Sequence, residues 1–186
     1  MKIKLNSPLI LGFALLSLAA MVLNIATGGV SNRLVFMTYH SSIANPLTWL
    51  RFFTHVLGHS GWQHYIGNMS YILLLGPMLE EKYGAKKLLG VIAAAALVTG
   101  LVNYFLFPNI ALCGASGVVF AFILLTSFTN FKEGEIPVTF ILVALIYIGQ
   151  QVYQGIFVQD NISNMAHIVG GIVGAVFGYL LGKNKH

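Results

Sequence analysis

The 186-residue chain is 57% hydrophobic, only 8% charged, and carries a formal net charge of +5. A soluble domain of this length would carry about a quarter charged residues, so the composition excludes an ordinary soluble protein and predicts an integral membrane protein. We expect a single membrane domain over residues 1–186 with no separate soluble domain. The positive charge is interpreted as topology-setting charge, with no nucleic-acid partner. The single cysteine, Cys113, excludes an intramolecular disulfide.

Apolar runs predict an all-α polytopic membrane protein with six transmembrane helices, because about 20 apolar residues cross a bilayer. The predicted spans are residues 8–26, 62–79, 88–107, 116–131, 138–153 and 165–181. The first run is interpreted as a retained span and not a signal peptide. The long first loop, residues 27–61, mixes aromatic, basic and histidine residues. Its part 47–57 is predicted to be a short interfacial helix anchored by aromatic side chains and Arg51.

The basic residues test this span count. Six spans place both termini and the turns after spans two and four on one side. That side collects eight basic residues: Lys2, Lys4, Lys82, Lys86, Lys87, Lys132, Lys183 and Lys185. The other side has only Arg33 and Arg51. This bias predicts that both termini face the cytoplasm.

The fourth span begins with a small polar motif, Gly114-Ala115-Ser116-Gly117. A serine flanked by glycines at a helix start leaves room for a substrate carbonyl, and the free N–H groups of that turn point at the same place. Ser116 is therefore a candidate nucleophile. The alternative is that these small residues serve close helix packing.

Three polar residues share one depth in this topology. His64, Ser116 and His167 each precede the first charge at the cytoplasmic end of their span by sixteen residues. At about 1.5 Å per residue, each would lie roughly 24 Å from those charges, several ångström below the outer surface. Polar side chains at that depth normally face the interior of a helix bundle or a water-filled cavity.

His167 is the candidate base for Ser116. Glycines follow His167 on its helix face and allow a close approach by span four at Gly117 and Ala121. These glycines are Gly170, Gly171, Gly174 and Gly178. Gly171, one turn after His167 on the same face, is predicted to lie where the two backbones nearly touch. Alternatively, His167 only caps or hydrogen-bonds a neighbouring helix. Asp160, the only acid on the outer side, is a weak candidate for orienting His167, and a Ser–His dyad is favoured.

His64 and Asn68 are four residues apart on one face of span two. Both can donate hydrogen bonds to a developing oxyanion. Their alternative role is to hold helices together by hydrogen bonds.

Together, these residues resemble the rhomboid intramembrane serine proteases. Three segments match motifs of that family in family order. They are the segment from His64 to Asn68, the serine motif, and Ala166-His167 followed by Gly170 and Gly174. The similarity extends to residues 76–84, with their glycine, glutamate and glycine spacing. It also includes Arg51, His55 and His59 in the first loop.

The resemblance implies a Ser116–His167 dyad and an oxyanion hole formed by His64, Asn68 and the Ser116 backbone N–H. Phe120 falls where many members place a tyrosine that stacks on the histidine. Trp49 departs from the family pattern, because Leu50 separates it from Arg51. The resemblance also implies the basic six-span form found in prokaryotes, in a plasma membrane. The active site is expected to open to the outer face, because the polar residues lie near the outer ends of three spans.

We therefore expect an intramembrane serine endopeptidase that cleaves transmembrane segments of membrane proteins without a metal or cofactor. By the resemblance, substrates enter laterally from the lipid bilayer and are cut beside a small residue. The alternatives are an inactive relative that binds transmembrane helices, or a small transporter.

Overall fold

A computed structural model describes residues 6–129, 135–157 and 164–183. Within these ranges there are seven α-helices and one π-helical turn, Asn32–Phe36. The helices are α1 (Pro8–Ala26), α2 (Pro46–Thr54), α3 (Trp62–Tyr83), α4 (Ala85–Leu106), α5 (Ser116–Thr126), α6 (Val138–Phe157) and α7 (Asn164–Lys183). The described ranges contain no strand beyond an isolated antiparallel bridge between Thr38 and Leu112.

Three of the described helices are long and apolar enough to cross a membrane: Pro8–Ala26, Ala85–Leu106 and Asn164–Gly182. The six-span count remains a prediction. Helix α3 has sufficient length at 22 residues, but it carries Gln63, His64 and Asn68 in its first turns and charges in its last. Several residues named in these predictions lie outside the described residues, namely Lys2, Lys4, Phe131 at the end of the fourth span, Lys132, Asp160 and Lys185.

The fourth predicted span is shorter than expected. Residues 116–131 were predicted, whereas α5 has 11 residues and ends at Thr126. The N–H groups of Ser127 and Phe128 bond to Leu124 and Leu125, three residues back, at 3.2 and 3.0 Å. This tightening into 3₁₀ geometry ends the α-helix.

Helix α5 is the centre of the bundle. Its residues Gly117–Leu125 are all buried, and it packs against α3, α4, α6 and most extensively α7. A helix that is apolar on every side is stable only when neighbours surround it. Its amino-terminal end, where Ser116 lies, is therefore positioned by four other helices.

The short helix predicted in the first loop is present, and its interfacial position stays a prediction. Helix α2 covers most of the predicted segment 47–57, but Arg51 is not an anchor in the interface. Its side chain is 2% exposed, donates hydrogen bonds to Tyr39, Ser41 and Thr48, and lies 4.3 Å from the Tyr39 ring centroid. A guanidinium group can fill this role because its five donors fan out in a plane that also stacks on aromatic rings.

Glu80 ties α1 to α3. Its two carboxylate oxygens accept the N–H groups of Leu9 at 3.1 Å and Ile10 at 3.0 Å. These N–H groups belong to the first turn of α1, where they have no intrahelical acceptor and where a negative charge is favourable. Glu80, counted above as a cytoplasmic-end charge, is thus a buried helix cap.

Candidate active site

Ser116 is the first residue of α5 and is half-buried. The segment before it, residues 112–115, is called the serine loop here. Leu112 exchanges two backbone hydrogen bonds with Thr38, at 2.9 and 2.8 Å, and the N–H of Gly114 donates to the His55 carbonyl at 2.9 Å. The first loop therefore fixes the backbone that delivers Ser116.

Gly114 is required at its position for two reasons. Its φ of +123° is a conformation that L side chains rarely adopt. A Cβ there would also lie 2.5 Å from Nε2 of His64 and 3.5 Å from Nδ2 of Asn68. The two side chains predicted as oxyanion donors therefore contact the serine loop two residues before Ser116.

The donor groups of this pair face the serine loop. Nδ1 of His64 lies 3.1 Å from Oγ of Ser60, which leaves the opposite ring nitrogen toward Gly114. Nδ2 of Asn68 is buried and has no hydrogen-bond partner among the described residues. A buried donor without an acceptor is unfavourable unless some other group accepts its hydrogen bond.

The glycine face of α7 packs directly on α5. A Cβ at Gly170 would lie 2.1 Å from the Gly117 carbonyl oxygen, and one at Gly174 would lie 2.1 Å from that of Ala121. The predicted contact with Gly117 and Ala121 is therefore present. The prediction that Gly171 lies at this closest approach is wrong, because a Cβ there meets only the Leu124 side chain, at 3.6 Å. Successive helical residues are 100° apart, so Gly171 points beside the seam that Gly170 and Gly174 form.

His167 lies against the same part of α5. Its ring is parallel to that of Phe120, with an interplanar angle of 4° and centroids 4.5 Å apart. Phe120 in turn makes an edge contact with Tyr147 of α6 at 5.7 Å. Since Phe120 is one turn after Ser116 and Gly117 contacts the Gly170 backbone, His167 and Ser116 lie at the same level of two facing helices.

Two histidines of the first loop support the site, although the residue patterns alone assigned them no role. Nε2 of His55 lies 3.0 Å from the Ala96 carbonyl oxygen, and the His59 ring lies 5.0 Å from the His64 ring. Burial lowers the pKa of His55 from 6.5 to about 4. Burial, together with the neighbouring His64, lowers the pKa of His59 to about 4 as well. Both are therefore neutral packing residues near pH 7.

Cys113 does not add a reactive thiol to the serine loop. Burial raises its pKa to about 11, so the thiolate form is disfavoured. Within the described residues no three His, Cys, Asp or Glu side chains are grouped as ligands for a metal ion.

Comparisons with known proteins identify the family of this chain. Residues 46–184 match the model of the rhomboid domain. The chain is 32% identical to the rhomboid protease GlpG of Haemophilus influenzae over 137 residues, which cover 72% of this chain and 70% of that protein. It is 28% identical over 152 residues to the putative rhomboid protease YdcA of Bacillus subtilis, covering 79% of this chain and 74% of that protein.

A mouse relative, rhomboid-related protein 2, is 32% identical over 142 residues, which cover 69% of this chain but only 47% of that longer protein. The chain belongs to the rhomboid family. With its long apolar helices, it is an integral membrane protein.

Proposed function

We propose that this protein is an intramembrane serine endopeptidase with Ser116 as nucleophile and His167 as base. The observation that carries the proposal is the meeting of three helices at one place. Helix α3 brings His64 and Asn68 against the serine loop, α5 begins there with Ser116, and α7 brings His167 onto the Phe120 ring. Two relatives with most of their length matched are named as rhomboid proteases, one of them as putative.

The chemistry follows from these positions. Oγ of Ser116 attacks the carbonyl carbon of a peptide bond while neutral His167 takes the hydroxyl proton. The carbonyl oxygen becomes an oxyanion, which accepts hydrogen bonds from the Ser116 N–H and from the Asn68 and His64 side chains. His167 then gives its proton to the leaving amine, and water hydrolyses the acyl-enzyme.

The proposal includes the surroundings of the reaction. Substrates are transmembrane segments of other membrane proteins, which reach Ser116 laterally from the lipid and are cut beside a small residue. The protein lies in a prokaryotic plasma membrane with both termini in the cytoplasm, and the site opens to the outer face. The bias of basic residues supports this orientation.

The test uses Ser116→Ala and His167→Ala in proteoliposomes with a transmembrane substrate, together with labelling by a fluorophosphonate probe. Ser127→Ala is the matched control, because Ser127 lies near the other end of α5 and its hydroxyl only bonds back to Ile123. We expect both site variants to lose cleavage, Ser116→Ala to lose labelling, and Ser127→Ala to keep both. Cleavage that survives in Ser116→Ala would refute the assignment. A folded wild-type protein that neither cleaves nor labels would instead indicate an inactive binder of transmembrane helices, or a transporter.

A further inference from the structure

An apolar groove lies on the side of the bundle between α1 and α4, and no residue of α5 lines it. Its volume is about 400 Å³, within the range of ligand sites. Gly12 and Leu16 line it from α1, Leu89, Ala93 and Ala96 from α4, and Val56 closes it just after α2. We infer that this groove holds an acyl chain of an anionic phospholipid, with the phosphate of that lipid at Lys86.

The groove faces the hydrocarbon of the bilayer. Helices α1 and α4 are two of the three described helices that are long and apolar enough to span a membrane. Leu16 and Leu89, one on each wall, are 60% and 52% exposed, so the groove opens sideways from the protein. In a bilayer this opening meets lipid chains, and small residues at Gly12, Ala93 and Ala96 give a chain room to enter.

The charge beside the groove selects the headgroup. Lys86 is exposed and lies three residues before Leu89, so it is one turn toward the start of α4 on the same helix face. The following residue, Lys87, is also exposed, and so is Glu81 near the end of α3. The nearby carboxylate of Glu80 is occupied by the N–H groups of Leu9 and Ile10. A lysine at the end of an apolar groove attracts an anionic headgroup, typically by about fivefold over a neutral one.

The groove is also joined to the serine loop. Ala96 lines the groove, and its carbonyl accepts the hydrogen bond from Nε2 of His55. The His55 carbonyl accepts the N–H of Gly114. A chain in the groove therefore supports α2 and, through His55, the backbone before Ser116. The consequence for cleavage depends on the proposed function, whereas lipid binding does not.

Binding is tested by photolabelling in neutral phosphatidylcholine vesicles. A trace lipid with a diazirine on its acyl chain carries either a phosphatidylglycerol or a phosphatidylcholine headgroup, and labelled residues are mapped by mass spectrometry. We expect labelling concentrated on residues 8–16 and 89–96, about fivefold stronger with phosphatidylglycerol. Lys86→Gln should remove that preference and leave the labelled residues unchanged.

Filling the groove supplies the matched comparison. A Cβ added at Gly12 or at Gly90 meets no atom within 4 Å, so a larger side chain can begin at both without a clash, but only Gly12 lines the groove. We expect Gly12→Leu to abolish the concentrated labelling and Gly90→Leu to keep it. Ala93→Leu fills the groove from the opposite wall and keeps the test decisive should Gly12→Leu fail to fold.

Two results would overturn the inference: labelling spread evenly over the lipid-facing helices, or equal labelling by both headgroups. The test of lipid binding is independent of the proposed role of Ser116, because none of these measurements requires cleavage.

Discussion

Gly170→Ala should disrupt the seam between α5 and α7 with a single methyl group. The added Cβ would lie 2.1 Å from the Gly117 carbonyl oxygen. An ordinary C···O contact is about 3.3 Å, so the two helices would have to separate by roughly 1 Å. Overpacking of this kind typically costs ~1–3 kcal/mol. Replacing a helical glycine by alanine stabilises the helix by roughly 0.5–1 kcal/mol, which is less than the typical cost of overpacking, so the variant should be less stable than wild type.

The separation should affect cleavage more than stability. His167 is three residues before Gly170 on the same face of α7, so it moves with the seam. A displacement of 1 Å between reacting groups can cost about a hundredfold in rate. We expect Gly170→Ala to lower kcat/KM by about that factor and to lower Tm by a few degrees, at about 2–4 °C per kcal/mol.

Gly171→Ala is the matched control because it makes the same chemical change one residue along the same helix. A Cβ there lies 3.6 Å from Leu124, an ordinary contact, so the variant should gain helix propensity without a clash. Both variants are measured in one detergent for Tm and in proteoliposomes for cleavage. If Gly170→Ala melts and cleaves like Gly171→Ala, the seam does not hold His167 at Ser116 and our account of the packing is wrong.

Three further predictions address the rest of the site. Asn68→Ala should lower kcat by about 10²–10³ with an unchanged Tm, because one oxyanion donor is removed, and single-turnover cleavage measures this. An unchanged kcat would limit Asn68 to packing. Phe120→Leu should lower kcat and Phe120→Tyr should keep it, because only tyrosine preserves an aromatic ring against His167. Equal rates in the two variants would rule out a role for the ring stacking. In the folded protein the pKa values of His55 and His59 are lowered to about 4. Between about pH 4 and pH 6.5 the unfolded chain therefore binds more protons than the folded protein, so Tm should be highest above pH 6.5 and fall toward pH 4. His55→Gln, which keeps a donor for Ala96 and cannot titrate, should flatten that fall, and an equally steep fall would exclude His55 as a cause.

The contacts predicted best from sequence were those that depend on helix periodicity. Gly170, Gly174, Gly117 and Ala121 follow regular spacing within two helices, so their meeting at a seam could be expected from sequence alone. The choice of Gly171 failed because spacings of three and four residues both fall on one broad face. Which of Gly170 and Gly171 faces α5 depends on the direction from which α5 packs against α7, and that direction is set by tertiary packing.

The features missed from sequence depend on contacts between distant segments. Arg51 was expected in the interface because a cation is usually placed in water, yet Tyr39, Ser41 and Thr48 give it enough hydrogen bonds to be buried. Glu80 caps the start of α1 from 70 residues away, as its bond to the N–H of Ile10 shows. No local pattern carries such long-range partnerships, since both residues alone resemble ordinary charges at a membrane surface.

The short length of α5 explains why polar chemistry fits inside this bundle. Eleven residues rise about 16 Å, roughly half the thickness of the hydrocarbon core, so α5 alone does not cross that core, and Ser116 at its start is predicted to lie several ångström below the outer surface. The first N–H groups of a helix have no intrahelical acceptor, and Ala115 supplies no side-chain cap. Backbone donors at such a depth are tolerated where the chain lines a polar cavity. Nδ2 of Asn68, which has no hydrogen-bond partner among the described residues, also faces this part of the chain, at Gly114. In the proposed reaction, an oxyanion would accept hydrogen bonds from these donors together.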